Sequence, residues 1–322
     1  MAAEVTSTIL DIEPMDLAYV GFSRDTLKGQ VAVITGSASN VGLGYARALA
    51  WAGAKVVVTD INEINGYEAE RVINAENDPD SALFVKCDIT QADDVKNLAE
   101  KAIAKYGKVD ILINNAMNMQ LNGLILDSPV SDLDQSYAIS ARGTMLTIKE
   151  FVPAMIERGF GVVVYSSTQF HFSLPMIGSS IYCAGKAAAT SVTMSLANEV
   201  KGTGVSVFCL TPTGVGRPRD LGKFTPPAWW PKMDERPLSP GFFTEGYPPE
   251  ANGAAMVYCL TNAPALHGSG VSLHEALKAM DYPYPNPESL VERPAMRRLN
   301  DRELTLVFLN MGPGFSGFNA SF

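Results

Sequence analysis

A glycine-rich turn between an apolar strand and a helix is the feature that most constrains this fold. Residues 31–34 are a short run of valine, alanine and isoleucine, and residues 35–44, TGSASNVGLG, follow directly. Apolar residues then recur at helical spacing over 43–50, and Gly53 is the expected end of that helix. The amides at such a helix start point outward, and the positive end of the helix dipole favours a phosphate. The segment therefore predicts a pyrophosphate site.

The cofactor contacts expected in this turn depend on backbone shape. Glycine serves where the chain needs a positive φ or must approach a ligand closely. Asparagine is among the few other residues that tolerate the left-handed region. The predicted contacts are Gly36, Ser39, Asn40, Val41 and Gly42.

An acidic residue ends the second apolar run. Asp60 lies 24 residues after Gly36, where a carboxylate accepts hydrogen bonds from the ribose hydroxyls and repels a 2′-phosphate. No arginine or lysine occurs at 37–41 or directly after Asp60. We therefore predict NAD rather than NADP as the cofactor, with Ile61 as a further contact.

Short valine-rich runs alternate with helical segments along the chain. Strands are predicted at 31–34, 54–58, 83–85, 109–113, 161–168, 205–211 and 269–273, and helices at 131–158 and 181–201. A further helix is predicted to open at Thr90 with Asp93 and to close at Gly107. This alternation indicates parallel βαβ units, and the nearly continuous apolar runs indicate strands covered on both faces.

Composition excludes several classes of protein. The chain is 47% hydrophobic and 18% charged, which is enough apolar material for a large core. A net charge of −9 without a Lys/Arg cluster argues against nucleic acid or anionic membranes as partners. No apolar run of membrane-spanning length occurs, and residues 1–10 lack the layout of a signal peptide. Four dispersed cysteines indicate free thiols, no metal site and a cytoplasmic location.

Tyr182 and Lys186 are the candidate acid–base pair. They are four residues apart at a predicted helix start, so they share one face. A phenol has a pKa near ~10 in water, too high for a base at neutral pH. An adjacent ammonium and the positive ring of an oxidised nicotinamide would stabilise the phenolate and lower that pKa. Tyr182 is then suited to take a proton from an alcohol or give one to a ketone.

In order and spacing, these motifs resemble those of the short-chain dehydrogenase/reductase family over residues 29–275. The matching pieces are Thr35-Gly36 through Gly42, Asp60, Asp88, Asn114-Asn115-Ala116, Tyr182 with Lys186, and Pro212. The resemblance implies a Rossmann-type doubly wound parallel sheet of about seven strands in one α/β domain. It also implies adenine contacts from Asp88 and Ile89, ribose contacts from Asn115 and Ala116, and a nicotinamide contact from the Val215 backbone near Pro212. Lys186 is expected to bind the nicotinamide ribose.

The chain departs from the family pattern at several positions. The family's catalytic serine falls on Thr168 when counted without gaps from Gly161, or on Ser167 with a slip of one residue. Either hydroxyl is suited to orient the substrate oxygen. The asparagine that anchors a proton-relay water in the family aligns with Ser140. Near the expected cofactor, Met117 and Thr213 stand where the family usually has glycine, and Arg217 stands where it usually has threonine.

The remaining segments suggest the substrate side. Residues 212–248, rich in proline and aromatics, are predicted to form a substrate lid inside the catalytic domain 29–275, flanked by extensions at 1–28 and 276–322. Apolar residues are expected around the active hydroxyls, with Trp229 and Trp230 either closing over them or forming subunit contacts. His171 is expected at the pocket rim or buried. We predict an NAD-dependent dehydrogenase or reductase acting on a bulky apolar alcohol or ketone, as a homodimer or homotetramer. The alternatives are a non-catalytic NAD-binding scaffold subunit and a related dehydratase or epimerase.

Overall fold

Seven valine- and isoleucine-rich segments form one parallel sheet within the described part of the chain. The structure is a computed structural model, and it describes residues 14–118, 121, 125–168, 180–212 and 249–282. The strands are β1 Val31–Thr35, β2 Lys55–Asp60, β3 Ala82–Lys86, β4 Ile111–Asn114, β5 Gly161–Ser166, β6 Val205–Thr211 and β7 Gly270–Ser272. Their order is β3-β2-β1-β4-β5-β6-β7, and every pairing is parallel. The predicted doubly wound sheet of about seven strands is confirmed.

Helices follow the strands in the order that βαβ units require. They are α1 Asn40–Trp51, α2 Glu63–Glu76, α3 Ala92–Tyr106, α4 Val130–Tyr137, α5 Gly143–Arg158, α6 Ser180–Glu199, α7 Pro249–Thr261, α8 Ala263–Leu266 and α9 Leu273–Ala279. A short 3-10 helix spans Ala18–Val20. No helix in the described ranges is both long and apolar enough to cross a membrane.

Successive residues of the strands face opposite layers. In β1, Ala32 and Ile34 belong to one buried cluster together with apolar residues of α1 and α7. Val31 and Val33 belong to a second cluster with residues of α3, α5 and α6. The strand side chains of the sheet interior are thus buried on both faces, which explains the continuous apolar runs in the sequence.

The helix predicted over 131–158 contains a wider turn. Residues Ala138–Arg142 form a π-helical turn between α4 and α5, and such turns are frequent at functional sites. Ser140 lies inside this turn and is buried. Gly185 of α6 passes close by: a Cβ added there would lie 2.2 Å from Ser136 Oγ and 3.0 Å from Ser140 Oγ. Glycine at 185 therefore allows α6 to approach the π turn closely.

The predicted N-cap of α3, Thr90, is wrong by one residue. The N-cap is Gln91, and its side chain makes no capping hydrogen bond. Thr90 instead donates from both its backbone N and its hydroxyl to Asp88 Oδ1, at 2.9 and 2.7 Å. The side chain of Asp88 thus attracts Thr90 into a turn that precedes the helix. Gly107 ends the helix in the left-handed conformation, with φ of 80°, as predicted.

Sequence periodicity missed the helices α2, α7, α8 and α9. Helix α7 packs against α1, where a Cβ on Gly253 would lie 2.5 Å from Ala48 Cβ. The described part of the predicted N-terminal extension also joins the core: Met15, Leu17 and Leu27 are buried in the α1 cluster. Residues 1–13 and 283–322, and most of the predicted lid, lie outside the described residues.

Candidate active site

The predicted functional residues gather at the carboxyl edge of the sheet. Gly36 follows β1, Asp60 ends β2, and Asn115 follows β4. Because β1 lies between β2 and β4, the connections leaving β1 and β4 diverge and open a crevice at this edge. Further along the same edge, Thr168 lies two residues beyond the end of β5, and Pro212 directly follows β6.

The glycine-rich turn is packed too tightly for side chains at two positions. Gly36 has a φ of 62°, and a Cβ there would lie 2.7 Å from Ala116 Cα. At Gly42, a Cβ would lie 2.2 Å from Gly36 O. Asn40 begins α1 with a φ of 48°, which confirms the expected left-handed residue. Ser39 is the N-cap and makes no side-chain capping bond in the described structure, so the helix start presents backbone amides to a ligand.

Thr35 and Asn115 hold the turn against β4. Thr35 Oγ1 accepts from the backbone N of Asn115 at 2.9 Å and of Ala116 at 3.1 Å. Asn115 Nδ2 donates to Thr35 O at 3.1 Å and to Gly36 O at 3.0 Å. The Asn115 side chain is therefore engaged in shaping the turn. The sequence placed Thr35 at the start of the motif without a role, and the structure shows that its hydroxyl fixes the connection after β4.

Asp60 faces the same turn from β2. Its Oδ2 accepts from Ala38 N at 3.3 Å, and its Oδ1 accepts from Asn62 N at 3.0 Å. Burial raises the pKa of this carboxyl, while the backbone amides of Asn62 and Ala38 oppose the rise. Ile61 beside it is 67% exposed. A partly desolvated carboxylate with oxygens at the turn is placed to accept hydrogen bonds from a ligand hydroxyl.

The adenine-side candidates lie after β3. Asp88 N donates to Asp94 Oδ2 at 2.9 Å, while Asp88 Oδ1 accepts from Thr90. Ile89 is buried and lies against the start of α5, since a Cβ on Gly143 would be 2.8 Å from Ile89 Cδ1. Val215, Thr213 and Arg217 lie outside the described residues, as do 169–179 and the lid tryptophans.

Tyr182 and Lys186 are both buried on the first turns of α6. Lys186 Nζ donates to Ser166 O at 2.5 Å and lies 5.9 Å from the ring centroid of Tyr182 and 5.0 Å from that of Tyr165. The ammonium thus sits between two phenol rings and a carbonyl oxygen, all of which favour its charge. Burial nevertheless lowers the pKa of Lys186 to about 7.

The pKa of Tyr182 differs from the sequence expectation. Burial raises it, with the Cys183 thiol adding to the rise and the Thr168 hydroxyl opposing it by a hydrogen bond. The lowering expected from the adjacent ammonium is not found in the protein alone, because burial of the phenol controls this pKa.

The structure separates the two hydroxyls that end β5. Thr168 is buried and hydrogen-bonds Tyr182. Ser167 Oγ instead lies 2.7 Å from Thr190 Oγ1 on α6. Ser140 Oγ donates to Met117 Sδ at 3.2 Å. The hydroxyl that accompanies the acid–base candidate is thus Thr168, and Ser167 ties the strand to the helix behind it.

The described residues contain no group of three or more His, Cys, Asp or Glu side chains placed to hold a metal ion. The reactive groups that the described residues bring to this edge are a phenol, an amine, hydroxyls and a carboxylate. Together with a phosphate-binding helix start, these groups suit proton transfer beside a bound dinucleotide.

Comparison with known proteins decides the family. The sequence model of the family described as short chain dehydrogenase matches residues 30–220, more than half of the chain. This chain belongs to the short-chain dehydrogenase family. Members of this family include secoisolariciresinol dehydrogenase of Forsythia intermedia, which is 32% identical over 198 residues, covering 61% of this chain and 69% of that protein. Tropinone reductase-like 1 of Erythroxylum coca is 31% identical over 192 residues, covering 59% of this chain and 68% of that protein.

Solved structures agree with the family assignment. A metagenomic short-chain oxidoreductase in complex with NADP has a TM-score of 0.54 and 29% identity, covering 59% of this chain and 85% of its own. A short-chain type dehydrogenase/reductase from Mycobacterium marinum has a TM-score of 0.64, covering 79% of this chain and 96% of its own; at 24% identity it supports the fold. The chain is therefore a short-chain family oxidoreductase of a family that binds nicotinamide cofactors.

Proposed function

We propose that this protein is an NAD-dependent oxidoreductase that interconverts a bulky apolar secondary alcohol and its ketone, with Tyr182 as acid–base. The observation that carries this proposal is a buried group of three side chains: Tyr182, the Thr168 hydroxyl that holds down its pKa, and Lys186, whose Nζ lies 5.9 Å from the Tyr182 ring centroid. This group follows β5 on the edge where the glycine-rich turn follows β1. A proton-transferring phenol and a dinucleotide site thus share one crevice.

The turn residues fit a dinucleotide. The amides at the start of α1 and the close backbone of Gly36 and Gly42 would hold the pyrophosphate. Asp60 would accept the ribose hydroxyls, with Ile61, Asp88 and Ile89 around the adenine. Asn115 would act by shaping the turn, Ala116 would line the ribose, and Pro212 with Val215 would border the nicotinamide. When bound, the nicotinamide supplies or accepts the hydride.

Asp60 supports NAD over NADP. Its oxygens lie at the turn and are already partly desolvated, so a 2′-phosphate brought beside them would face a negative charge in a site of reduced dielectric. The described residues of the turn, 36–42, include no arginine or lysine to offset that repulsion.

Tyr182 and Thr168 would carry the proton chemistry. In oxidation, Thr168 orients the alcohol oxygen and Tyr182 receives the hydroxyl proton; in reduction, Tyr182 returns it to the ketone oxygen. Because burial raises the pKa of Tyr182 in the protein alone, Tyr182 keeps its own proton and cannot accept one from the alcohol until a nearby positive charge lets it release that proton to solvent. The oxidised nicotinamide provides such a charge, so we infer that the coenzyme binds before the alcohol is deprotonated. Lys186 would hold the nicotinamide ribose.

Two observations support the substrate class. The relatives named as a secoisolariciresinol dehydrogenase and tropinone reductase-like proteins suggest an alcohol or a ketone as the reacting group. Met117, half-buried beside Ser140, brings an apolar side chain to the acid–base centre.

The decisive experiment follows the absorbance of the reduced nicotinamide with a panel of apolar secondary alcohols and ketones. Tyr182→Phe should lower kcat by on the order of 10²-fold or more, since it removes the acid–base group. Tyr67→Phe serves as the control, because Tyr67 is an exposed tyrosine of α2. A wild-type rate for Tyr182→Phe would refute the mechanism. Coenzyme binding without turnover of any substrate would favour a scaffold role, and net lyase or epimerase products without net coenzyme change would favour the other alternative.

We also propose self-association through α4 and α5. Val130, Tyr137, Met145 and Ile156 on these helices are large apolar residues with 39–75% exposure, and such surface favours an apolar partner. Light scattering should give the mass of a dimer or tetramer, and Val130→Glu should lower that mass.

A reducing, cytoplasmic location is proposed from the four free cysteines, three of which are buried.

A further inference from the structure

Tyr165 is a second phenol beside the proposed acid–base centre. It is the fifth residue of β5, with 1% of its surface exposed. Lys186 Nζ lies 5.0 Å from its ring centroid, and Cys209 and Ala189 pack around it. Neither the sequence motifs nor the resemblance to the family assigned Tyr165 a role.

The Tyr165 hydroxyl makes no hydrogen bond of ordinary length and angle within the described residues, although the Ser140 hydroxyl lies near it. Leaving a buried donor unsatisfied is costly, and native proteins rarely do so without a functional reason. The neighbouring Ser140 hydroxyl donates to Met117 Sδ. By contrast, the hydroxyl of Tyr45, another fully buried phenol, accepts a hydrogen bond from Ser166 Oγ at 3.5 Å. Tyr165 therefore keeps a donor at the acid–base centre that the resting protein does not use.

We propose that Tyr165 is a positioning residue of the acid–base centre, whose hydroxyl donates a hydrogen bond that stabilises Tyr182 in its deprotonated form. This inference rests on the proposed function. Tyr165 keeps its own proton throughout, and Tyr182 alone exchanges a proton with the substrate. The donor thus supplies part of the stabilisation that the buried phenolate lacks in the protein alone.

The titratable groups that surround the two phenols, Tyr165 and Tyr182, are compatible with this role. Tyr165 faces Tyr182 and Lys186 of α6 and the Cys209 thiol of β6, while Cys183 adjoins Tyr182. Burial raises the pKa of Tyr165 well above its ordinary value and the Tyr182 phenol adds to the rise, while the Ser140 hydroxyl opposes it. Tyr165 therefore remains a neutral donor at any pH at which Tyr182 works. Burial also raises the pKa of Cys209 to about 12 and that of Cys183 to about 11, so both remain neutral thiols.

The test is the pH profile of kcat/KM for alcohol oxidation by full-length Tyr165→Phe. This variant keeps the ring over Lys186 and removes only the unpartnered hydroxyl, so its melting temperature should equal or exceed that of the wild type. We expect the apparent pKa of the acid–base centre, read from the midpoint of this profile, to rise by about one unit. At pH 7 kcat/KM should fall about tenfold, and at high pH it should recover the wild-type value. This apparent pKa describes Tyr182 and Lys186 as a coupled pair, since the two groups titrate together.

Tyr45→Phe is the matched control and should leave the profile unchanged. An unchanged profile for Tyr165→Phe, or an equal loss at every pH with the midpoint fixed, would overturn the inference while the proposed function stands. The proposed function has its own check, since it fails if the wild type turns over no substrate or if Tyr182→Phe keeps full activity.

Discussion

Replacing Lys186 with methionine should make the coenzyme-free protein more stable at low pH, and this advantage should shrink as the pH rises. The folded protein holds the Lys186 ammonium almost without solvent, with 4% of the residue exposed. Burial lowers its pKa from 10.5 to about 7. Below pH 7 both the folded and unfolded states carry the charge, and the folded state bears the full desolvation cost. Methionine has a similar length and no charge.

The magnitude follows from proton linkage. Between pH 7 and 10.5 the unfolded chain binds the lysine proton and the folded chain releases it, so the stability of the wild type rises with pH across this window. One pKa unit corresponds to about 1.36 kcal/mol, so the advantage of Lys186→Met should fall by roughly 2 kcal/mol between pH 7 and pH 9. Buried cysteines and tyrosines titrate in both proteins, and their contributions cancel in the difference.

Urea unfolding of both proteins at pH 6, 7, 8 and 9 measures this difference in the free energy of unfolding. Lys96→Met is the matched control, because the Lys96 side chain is 65% exposed, and its difference from the wild type should not vary with pH. A difference for Lys186→Met that stays constant or grows toward pH 9 would refute the argument that desolvation controls this amine.

Two further predictions concern the cofactor turn. Asp60→Ala should weaken NAD binding and relax the rejection of NADP, because it removes the carboxylate at the turn; fluorescence titration with both coenzymes checks this, and an unchanged preference would show that Asp60 is misassigned. Gly42→Ala should lower stability by about 1–3 kcal/mol and weaken coenzyme binding, since its Cβ would lie 2.2 Å from Gly36 O. Gly270→Ala, where a Cβ meets nothing within 4 Å, is the control in thermal melting, and equal losses in the two variants would contradict the clash.

Local patterns in the sequence were sufficient to predict the glycine-rich turn and the helix that carries Tyr182. The strand, glycine turn and helix at 31–51 form as predicted, because the residues that shape them are neighbours in the chain. The spacing of Tyr182 and Lys186 was likewise enough to place both on one helix.

Other features depended on residues far apart in the chain. The choice between Thr168 and Ser167 required the position of Tyr182 and Thr190 on α6. The engagement of Asn115 with the turn required β4 to lie beside β1. The start of α3 was wrong because the local contact of Thr90 with Asp88 competes with the capping role that the sequence suggests.

The sequence by itself determined the alternation of strands and helices and the residue types at the sheet edge, because periodicity and turn chemistry act over a few residues. Only the tertiary structure decided the electrostatics. Burial, which is set by packing from distant elements, raises the pKa of Tyr182 and lowers that of Lys186. The same packing encloses the hydroxyl of Tyr165 beside them. Moving a charge from water into a core costs several kcal/mol, and the packing that sets this cost comes from elements far apart in the sequence.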